Sequence, residues 1–459
     1  MPQALEPGFR KTMERRALGF GLKGMKMEQE YFIHQLEEEL VVALGCTEPV
    51  AVAYAASLAR REAGPGRVES ILIQASVSIY KNALGVIIPG TQDMGTAMAA
   101  ALGALAGDPD LGLEVLRDLQ EDQILEARHL CQEGLVLSKP APPGSPTLYI
   151  DVTVSTREHS GRAVVAWKHD LIMELMRDGQ ATFVNEISSY QDLGAAISAD
   201  DLGQIWSFAT QVDLSRLAII RQAMLLNGAI AEEGLARGYG LEVGRSIAES
   251  VRTRSPKTDK DAFSLADYCA VQTAAAADAR MAGASFPVMS NSGSGNQGIT
   301  ATVPLLAAAH YLGSSEEALL RAQVLSHLVA IHVKKSYGRL SPLCGATGAA
   351  VGASAGLVML MGGGLEAVVA AVQNMFGTLT GMICDGAKLG CALKVSVCVY
   401  AAVQAACVAI RGKEIAATDG VIEGDVEETI RNMERISKEG MTHMDDLLLN
   451  IMLNKQGDC

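Results

Sequence analysis

The sequence predicts an α+β protein: an N-terminal α/β-type domain with a small mixed sheet, followed by a larger all-helical domain. Three observations predict it. Runs rich in β-branched residues at strand spacing are confined to the first part of the chain, between about residues 68 and 179. Helical periodicity dominates from about residue 200 to the end. Aromatic residues make up only 4% of the 459 residues while glycine supplies 46, so close helix contact has to rest on Gly and Ala.

The elements follow in order. Residues 1–27 lack both helical periodicity and a secretory apolar core and are expected to form a disordered leader. Residues 28–195 are expected to form the α+β domain, and residues 196–459 the helical domain. Within the first, EQEYFIHQLEEELVVAL (28–44) has apolar residues at helical spacing and is stopped by Gly45. CTEPVAVAYAASLARREAG restarts as a second helix, with Thr47 as N-cap and Pro49 tolerated in the first turn. VESILIQASVSIY, LGVIIPG, PTLYIDVTVST and GRAVVAWKHDLIMELMRDG read as strands. Helices are expected near 214–238, 263–281, 299–312, 315–335, 345–361, 364–379, 391–411 and 425–437, with no repeat of solenoid period.

The formal net charge of -14 argues against nucleic acid or an anionic membrane surface as the main partner. Nine cysteines, an odd number scattered through apolar helices, point to the reducing cytoplasm. The stretch Cys391 to Ile410 is long enough to span a bilayer. Lys394, Ser396 and Gln404 interrupt it, so it reads as a buried helix of a large helical domain.

Three stretches could carry chemistry. SNSGSGNQG (Ser290, Asn291, Ser292, Gly293, Ser294, Gly295, Asn296, Gln297, Gly298) runs into a helix. Backbone N–H groups, hydroxyls, amides and a helix N-terminus suit a small carboxylate, against the plainer reading of a connecting loop. It is not a P-loop, because no Gly-Lys-Ser/Thr ends it. In LGCTEP, Cys46 stands at the start of a helix, where the terminus favours a thiolate, against the plainer reading of a thiol packed in the interhelical corner; with a lowered pKa it is the candidate base. Thr47, Glu48, Asn82 (in YKNALG) and His169 (in WKHDLI) join the loop as candidate substrate-binding groups. Cys344, Cys384 and Cys391 lie in glycine-rich segments, and spacing alone leaves packing, a disulfide and metal ligation open. The absence of CxxC argues against structural zinc.

LGCTEPVAVAYAA, SNSGSGNQG, LCGATGAAVGASAGL and MICDGAKLGCALKVS, in this order, resemble the L-cysteine desulfidase family, which is related to the iron–sulfur L-serine dehydratases. The resemblance runs from about residue 28 to 455. It implies a [4Fe–4S] cluster on Cys344, Cys384 and Cys391, no pyridoxal phosphate, and β-elimination of L-cysteine to sulfide, ammonia and pyruvate. The dehydratases show Ser-His-Thr where this chain has Cys46-Thr47-Glu48, a departure that bears on the substrate and the base. L-Serine or L-threonine dehydration is the alternative within that chemistry; a small-molecule binding or redox-sensing protein with a vestigial cluster is the alternative outside it. A small amino acid is the expected partner, without nucleic acid or membrane, and a homodimer is the expected assembly.

Overall fold

The computed structural model describes residues 29–187, 201–254 and 262–456. The expected leader, the expected domain boundary at 195/196 and Cys459 lie outside the described residues.

Residues 29–39 form helix α1, and its apolar face (Phe32, Ile33, Leu36) packs into the helical core beside Phe208. The chain then turns into a short strand β1 (Val42–Leu44), not the continued helix expected to residue 44. Helix α2 (Thr47–Ala63) follows Gly45 and lies across the face of the main sheet. The six-stranded sheet contains β2 (Val68–Ala75), β3 (Val136–Pro140), β4 (Tyr149–Thr156), β5 (Ser160–Ala166), β6 (Ile172–Arg177) and β7 (Gln180–Val184). Its order is β3-β2-β4-β5-β6-β7; only β2 and β3 are parallel, so the sheet is mixed as expected. Small residues set the layer spacing: a Cβ on Gly161 of β5 would stand 2.0 Å from the carbonyl oxygen of Ala59 on α2.

Two expected strands are corrected. Val77–Ala83 forms helix α3 with Ser76 at its N-cap, although VSIY has strand propensity. Pairing along β2 ends at Ala75, and a helix satisfies the next backbone groups locally. Residues 84–90 contribute one isolated bridge, Ile87 to Met94. Helices α4 (Thr96–Ala106) and α5 (Glu121–Gln132) and strand β3 were not anticipated from the sequence.

The helical part contains α6 (Leu202–Gln211), α7 (Ala218–Ala236), α8 (Val243–Arg254), α9 (Leu265–Met281), α10 (Gly295–Leu312), α11 (Glu316–Tyr337), α12 (Gly345–Leu360), α13 (Leu365–Leu379), α14 (Cys391–Ala409), α15 (Val426–Arg435) and α16 (Met444–Gln456). The core helices α9, rich in Ala, and α12, rich in Ala and Gly, are buried along most of their lengths. Helix α14 packs against both with one face, while Leu393, Val397 and Val408 on its other face are exposed. Among the described residues a single short strand, β8 (Pro287–Met289), interrupts the helices. It pairs antiparallel with β1, Val42 opposite Met289, and this two-stranded link joins the beginning of the chain to the helical part.

Candidate active site

The β1–β8 pairing positions two of the sequence motifs. β1 runs into Gly45 and Cys46 at one end of this antiparallel pair, and β8 runs into Ser290 at the other. Backbone bonds extend the seam: Ser290 N–H donates to Val41 O at 2.9 Å and Ser292 N–H to Glu39 O at 3.0 Å. The Thr47 hydroxyl donates to Gly293 O at 2.8 Å. Gly45 has φ +76°, and a Cβ there would overlap Pro89 Cγ at 2.1 Å, so this turn requires glycine.

A second seam gathers the thiols. Leu343 and Ile383 form an antiparallel bridge, with Cys344 N–H donating to Met382 O at 3.0 Å and Cys384 N–H to Pro342 O at 2.7 Å. Two cysteines far apart in sequence therefore sit on adjacent strands of chain, and Cys344 caps α12. Cys391 opens α14 and its thiol points back over the same loop, 3.8 Å from Gly386 O. Lys81 Nζ, buried under the loop, donates to Cys384 O at 3.0 Å and pairs with Asp445 at 2.7 Å. Lys394 bonds Ile383 O at 2.9 Å and ion-pairs with Asp385. Burial opposes charge on Asp385, but hydrogen bonds from Lys388 and Lys394 override it and hold the carboxyl down at about 2.

Cys46, Thr47, Glu48, Asn82, Ser294, Asn296, Cys344, Cys384 and Cys391 line one cavity, together with Arg280 and Lys394. Of the predicted site residues, the structure thus brings these nine together. Ser290, Asn291, Ser292, Gly293, Gly295, Gln297 and His169 do not line it. Ser290 and Asn291 are fully buried and occupied by structure: Ser290 Oγ donates to Val41 O at 2.6 Å, and Asn291 Nδ2 lies 3.1 Å from His327 Nδ1. Gln297 donates to Asn291 Oδ1 at 2.8 Å, while its own Oε1 has no partner. His169 is buried behind the loop, where a Cβ on Gly293 would stand 2.7 Å from its Nδ1; neither ring nitrogen has a partner among the described residues.

Glu48 is the hub of the polar wall. Oε2 accepts from the Cys46 thiol at 3.6 Å and stands 3.2 Å from the Thr47 hydroxyl oxygen, whose proton the nearer Gly293 O takes, and Oε1 accepts from Asn82 Nδ2 at 2.9 Å. Asn82 Oδ1 in turn accepts from the Cys384 thiol at 3.9 Å. The lowered pKa expected for Cys46 is not what the fold provides. Burial pushes the thiol up, and Glu48 adds to that; the Arg280 guanidinium opposes both without prevailing. Cys344 is pushed up to about 12, by burial first and then by the neighbouring Cys384.

The donor set fits an iron–sulfur cluster better than a single ion. Among the described residues no three His, Cys, Asp or Glu side chains stand close enough to hold one metal ion. Thiolates of a cluster bind separate irons and stand further apart than ligands of one ion. Three thiols converge on the cavity from Cys344, Cys384 and Cys391, burial pushes the Cys344 and Cys391 thiols up, so that a bound cation has to displace their protons, and all eight described cysteines are free.

Sequence reasoning missed Arg280. It stands at the end of TAAAADARM, where a basic residue reads as a dipole partner of the helix C-terminus. A single arginine closing an otherwise small-residue, core-facing helix was the available signal. It also left Lys394 off the site, reading it only as an interruption of an apolar run.

One cavity in an α+β scaffold is thus lined by thiols, the side chains of Arg280, Lys394 and Glu48, and the first turn of a helix. The chain belongs to the serine dehydratase alpha chain family, whose sequence model matches residues 110–450. It is 46% identical over 435 residues to a UPF0597 protein of Oleidesulfovibrio alaskensis, covering 94% of this chain and all of the relative. It is 42% identical over 437 residues to a UPF0597 protein of Aeromonas hydrophila (94% of this chain, 98% of the relative). A UPF0597 protein of Phocaeicola vulgatus is 41% identical over 435 residues, covering 94% of this chain and 99% of the relative. Family membership places the chain among lyases of the iron–sulfur dehydratase type.

Proposed function

We propose that the protein is a cytoplasmic iron–sulfur lyase that eliminates sulfide from L-cysteine, giving 2-aminoacrylate, which hydrolyses to pyruvate and ammonia. The observation that carries this reading is the meeting of Cys344, Cys384 and Cys391 with the Cys46–Glu48 pair on one cavity. When bound to those three thiolates, a [4Fe–4S] cluster supplies an open, Lewis-acidic iron that offsets charge on a departing sulfur or oxygen.

The chain's own residues do the rest. Ser294 and Asn296 hold the substrate at the start of α10, whose N-terminus favours its carboxylate. Removing the Cα proton needs a base, and burial holds the Cys46 thiol neutral. In our reading the two side chains act as one: the thiol proton passes to Glu48 as the sulfur takes the proton from Cα. The Cα–H pair becomes the new double bond, the Cβ–S bond breaks, and hydrosulfide leaves. Asn82 keeps Glu48 pointed at Cys46 through its 2.9 Å bond.

L-Serine dehydration is the second reading, favoured by the description of the matched family. Anaerobic reconstitution with iron and sulfide, followed by assay of sulfide and pyruvate from L-cysteine and of pyruvate from L-serine, separates the two. Sulfide release from cysteine supports the first reading, and turnover of serine alone replaces it with the second. A reconstituted protein inactive on both sinks the elimination reading.

A further inference from the structure

We infer that Arg280 is the anchor for the substrate's free carboxylate, which restricts the site to free amino acids and excludes their amides, esters and peptides. For the substrate class this deepens the elimination reading and rests on it; the anion site itself stands on geometry alone.

Arg280 is 3% exposed and lines the cavity shared by the cysteines. A buried guanidinium ordinarily has an anion beside it, because the loss of water has to be offset. Here its partners are neutral: Asn296 Oδ1 at 2.9 Å, Gly45 O at 2.9 Å and the Met281 sulfur at 3.5 Å. Among the described residues no carboxylate lies within ion-pair distance of it. Asp278, the nearest acid on its own helix, accepts from Gly244 N–H at 3.0 Å instead. Among the described residues the Nε of Arg280 has no hydrogen-bond partner.

Its placement is built, not incidental. Gly45 O and Asn296 hold the guanidinium from the Cys46 loop and from the first turn of α10, so both loops fix its plane. Gly295 makes the space: a Cβ there would stand 2.2 Å from Nε and 2.6 Å from Cζ. The guanidinium therefore lies against bare backbone beside Ser294 and Asn296, on the cavity that Cys46 also faces. A carboxylate at this point meets a fixed fork of donors and the positive end of an 18-residue helix. It also completes a charge pair that the protein alone leaves open. An amide at the same place leaves the buried charge unpaired, a penalty of the kind that gives strong discrimination.

The test uses the full-length reconstituted protein and its R280Q, R280K and G295A variants, with L-cysteine, L-cysteinamide and, as an unreactive ligand, L-alanine. Wild type is expected to prefer L-cysteine over L-cysteinamide by roughly 100-fold or more in kcat/KM. R280Q is expected to lose about that factor on the acid, mostly in KM, with little change on the amide. R280K, which keeps charge without the fork, and G295A, which keeps the arginine but displaces it, are expected to fall between; matched thermal unfolding excludes misfolding. An unchanged acid-to-amide ratio in R280Q, or a wild type indifferent to the amide, overturns the inference while sulfide release keeps the elimination reading. If wild type turns over nothing, the elimination reading fails and calorimetry with L-alanine decides: binding lost in R280Q upholds the carboxylate site, and binding absent or equal in both overturns it.

Discussion

Asn82 and Glu48 meet at 2.9 Å across the cavity wall, and the same amide accepts from the thiol of Cys384 on its other side. One side chain on α3 thus joins the acid–thiol pair of the Cys46 loop to the loop that carries two of the three converging thiols. In this arrangement Glu48 is the only hydrogen-bond acceptor described for the Cys46 thiol.

Removing the acceptor tests that assignment. Glu48→Gln is expected to lower kcat for pyruvate release by about 100-fold or more with little change in KM, because an amide does not take the thiol proton. A variant that retains wild-type kcat removes Glu48 from the mechanism.

The thiols are separable by role. Cys344→Ala, Cys384→Ala and Cys391→Ala are each expected to lose iron and the visible absorption of the reconstituted protein while keeping the fold. Cys398, equally a cysteine of α14 but fully buried and 3.7 Å from the Met382 sulfur, serves as the contrast. Cys398→Ala is expected to keep its iron and to lose about 1 kcal/mol of stability through the small cavity it leaves. Iron analysis and urea unfolding read the two outcomes independently.

The loop between Cys384 and Cys391 depends on Gly386. It has φ +90°, and a Cβ would stand 2.5 Å from Lys81 O, in backbone that cannot give way without moving α3. Gly386→Ala is expected to cost about 1–3 kcal/mol and to impair iron uptake, measured by urea unfolding and by iron per chain after reconstitution.

His327 sets a pH dependence of stability. It is fully buried, and burial pushes its pKa down to about 3. Asn291 Nδ2 donates to Nδ1, so the ring proton sits on Nε2, facing the Thr302 hydroxyl oxygen at 3.1 Å. The folded protein keeps this histidine neutral, whereas the unfolded chain protonates it below about 6.5. Stability from this group is therefore present above that value and lost as the pH falls. Between pH 7 and pH 5 the loss is about 2 kcal/mol, set almost entirely by the unfolded pKa. Asp278 works in the opposite sense, since burial raises it to about 6 and its protonation stabilises the fold on acidification. Comparison with His327→Gln isolates the histidine: the variant is expected to lose about 2 kcal/mol less than wild type over that interval in urea unfolding.

Much of the architecture was legible because it rests on local pattern. The helices from α9 to α15 carry their own periodicity and caps, such as Ser294 before α10 and Ser315 before α11. The paired strands β4 and β5 carry the β-branched residues, in DVTV and AVVA, that mark strands. Where reading failed, a neighbour far in sequence overrode the local preference. Val42–Leu44 continues a helical pattern, yet it pairs with Pro287–Met289 as a strand. Val77–Tyr80 has strand composition, yet the sheet offers it no partner.

The sequence by itself determined the four motifs, the three cysteines set in small-residue segments, and an architecture packed through Gly and Ala. Tertiary structure alone decided which of those groups share a cavity. The β1–β8 seam and the Thr47–Gly293 bond tie the Cys46 loop to the serine-rich loop, and the Leu343–Ile383 bridge brings Cys344 to Cys384. It also turned Ser290, Asn291 and Gln297 into supports, raised the Cys46 pKa that its helix position was expected to lower, and put Arg280 on the cavity wall. The reason is physical: periodicity and capping act over a few residues, whereas burial, desolvation and charge pairing depend on neighbours that only chain folding supplies.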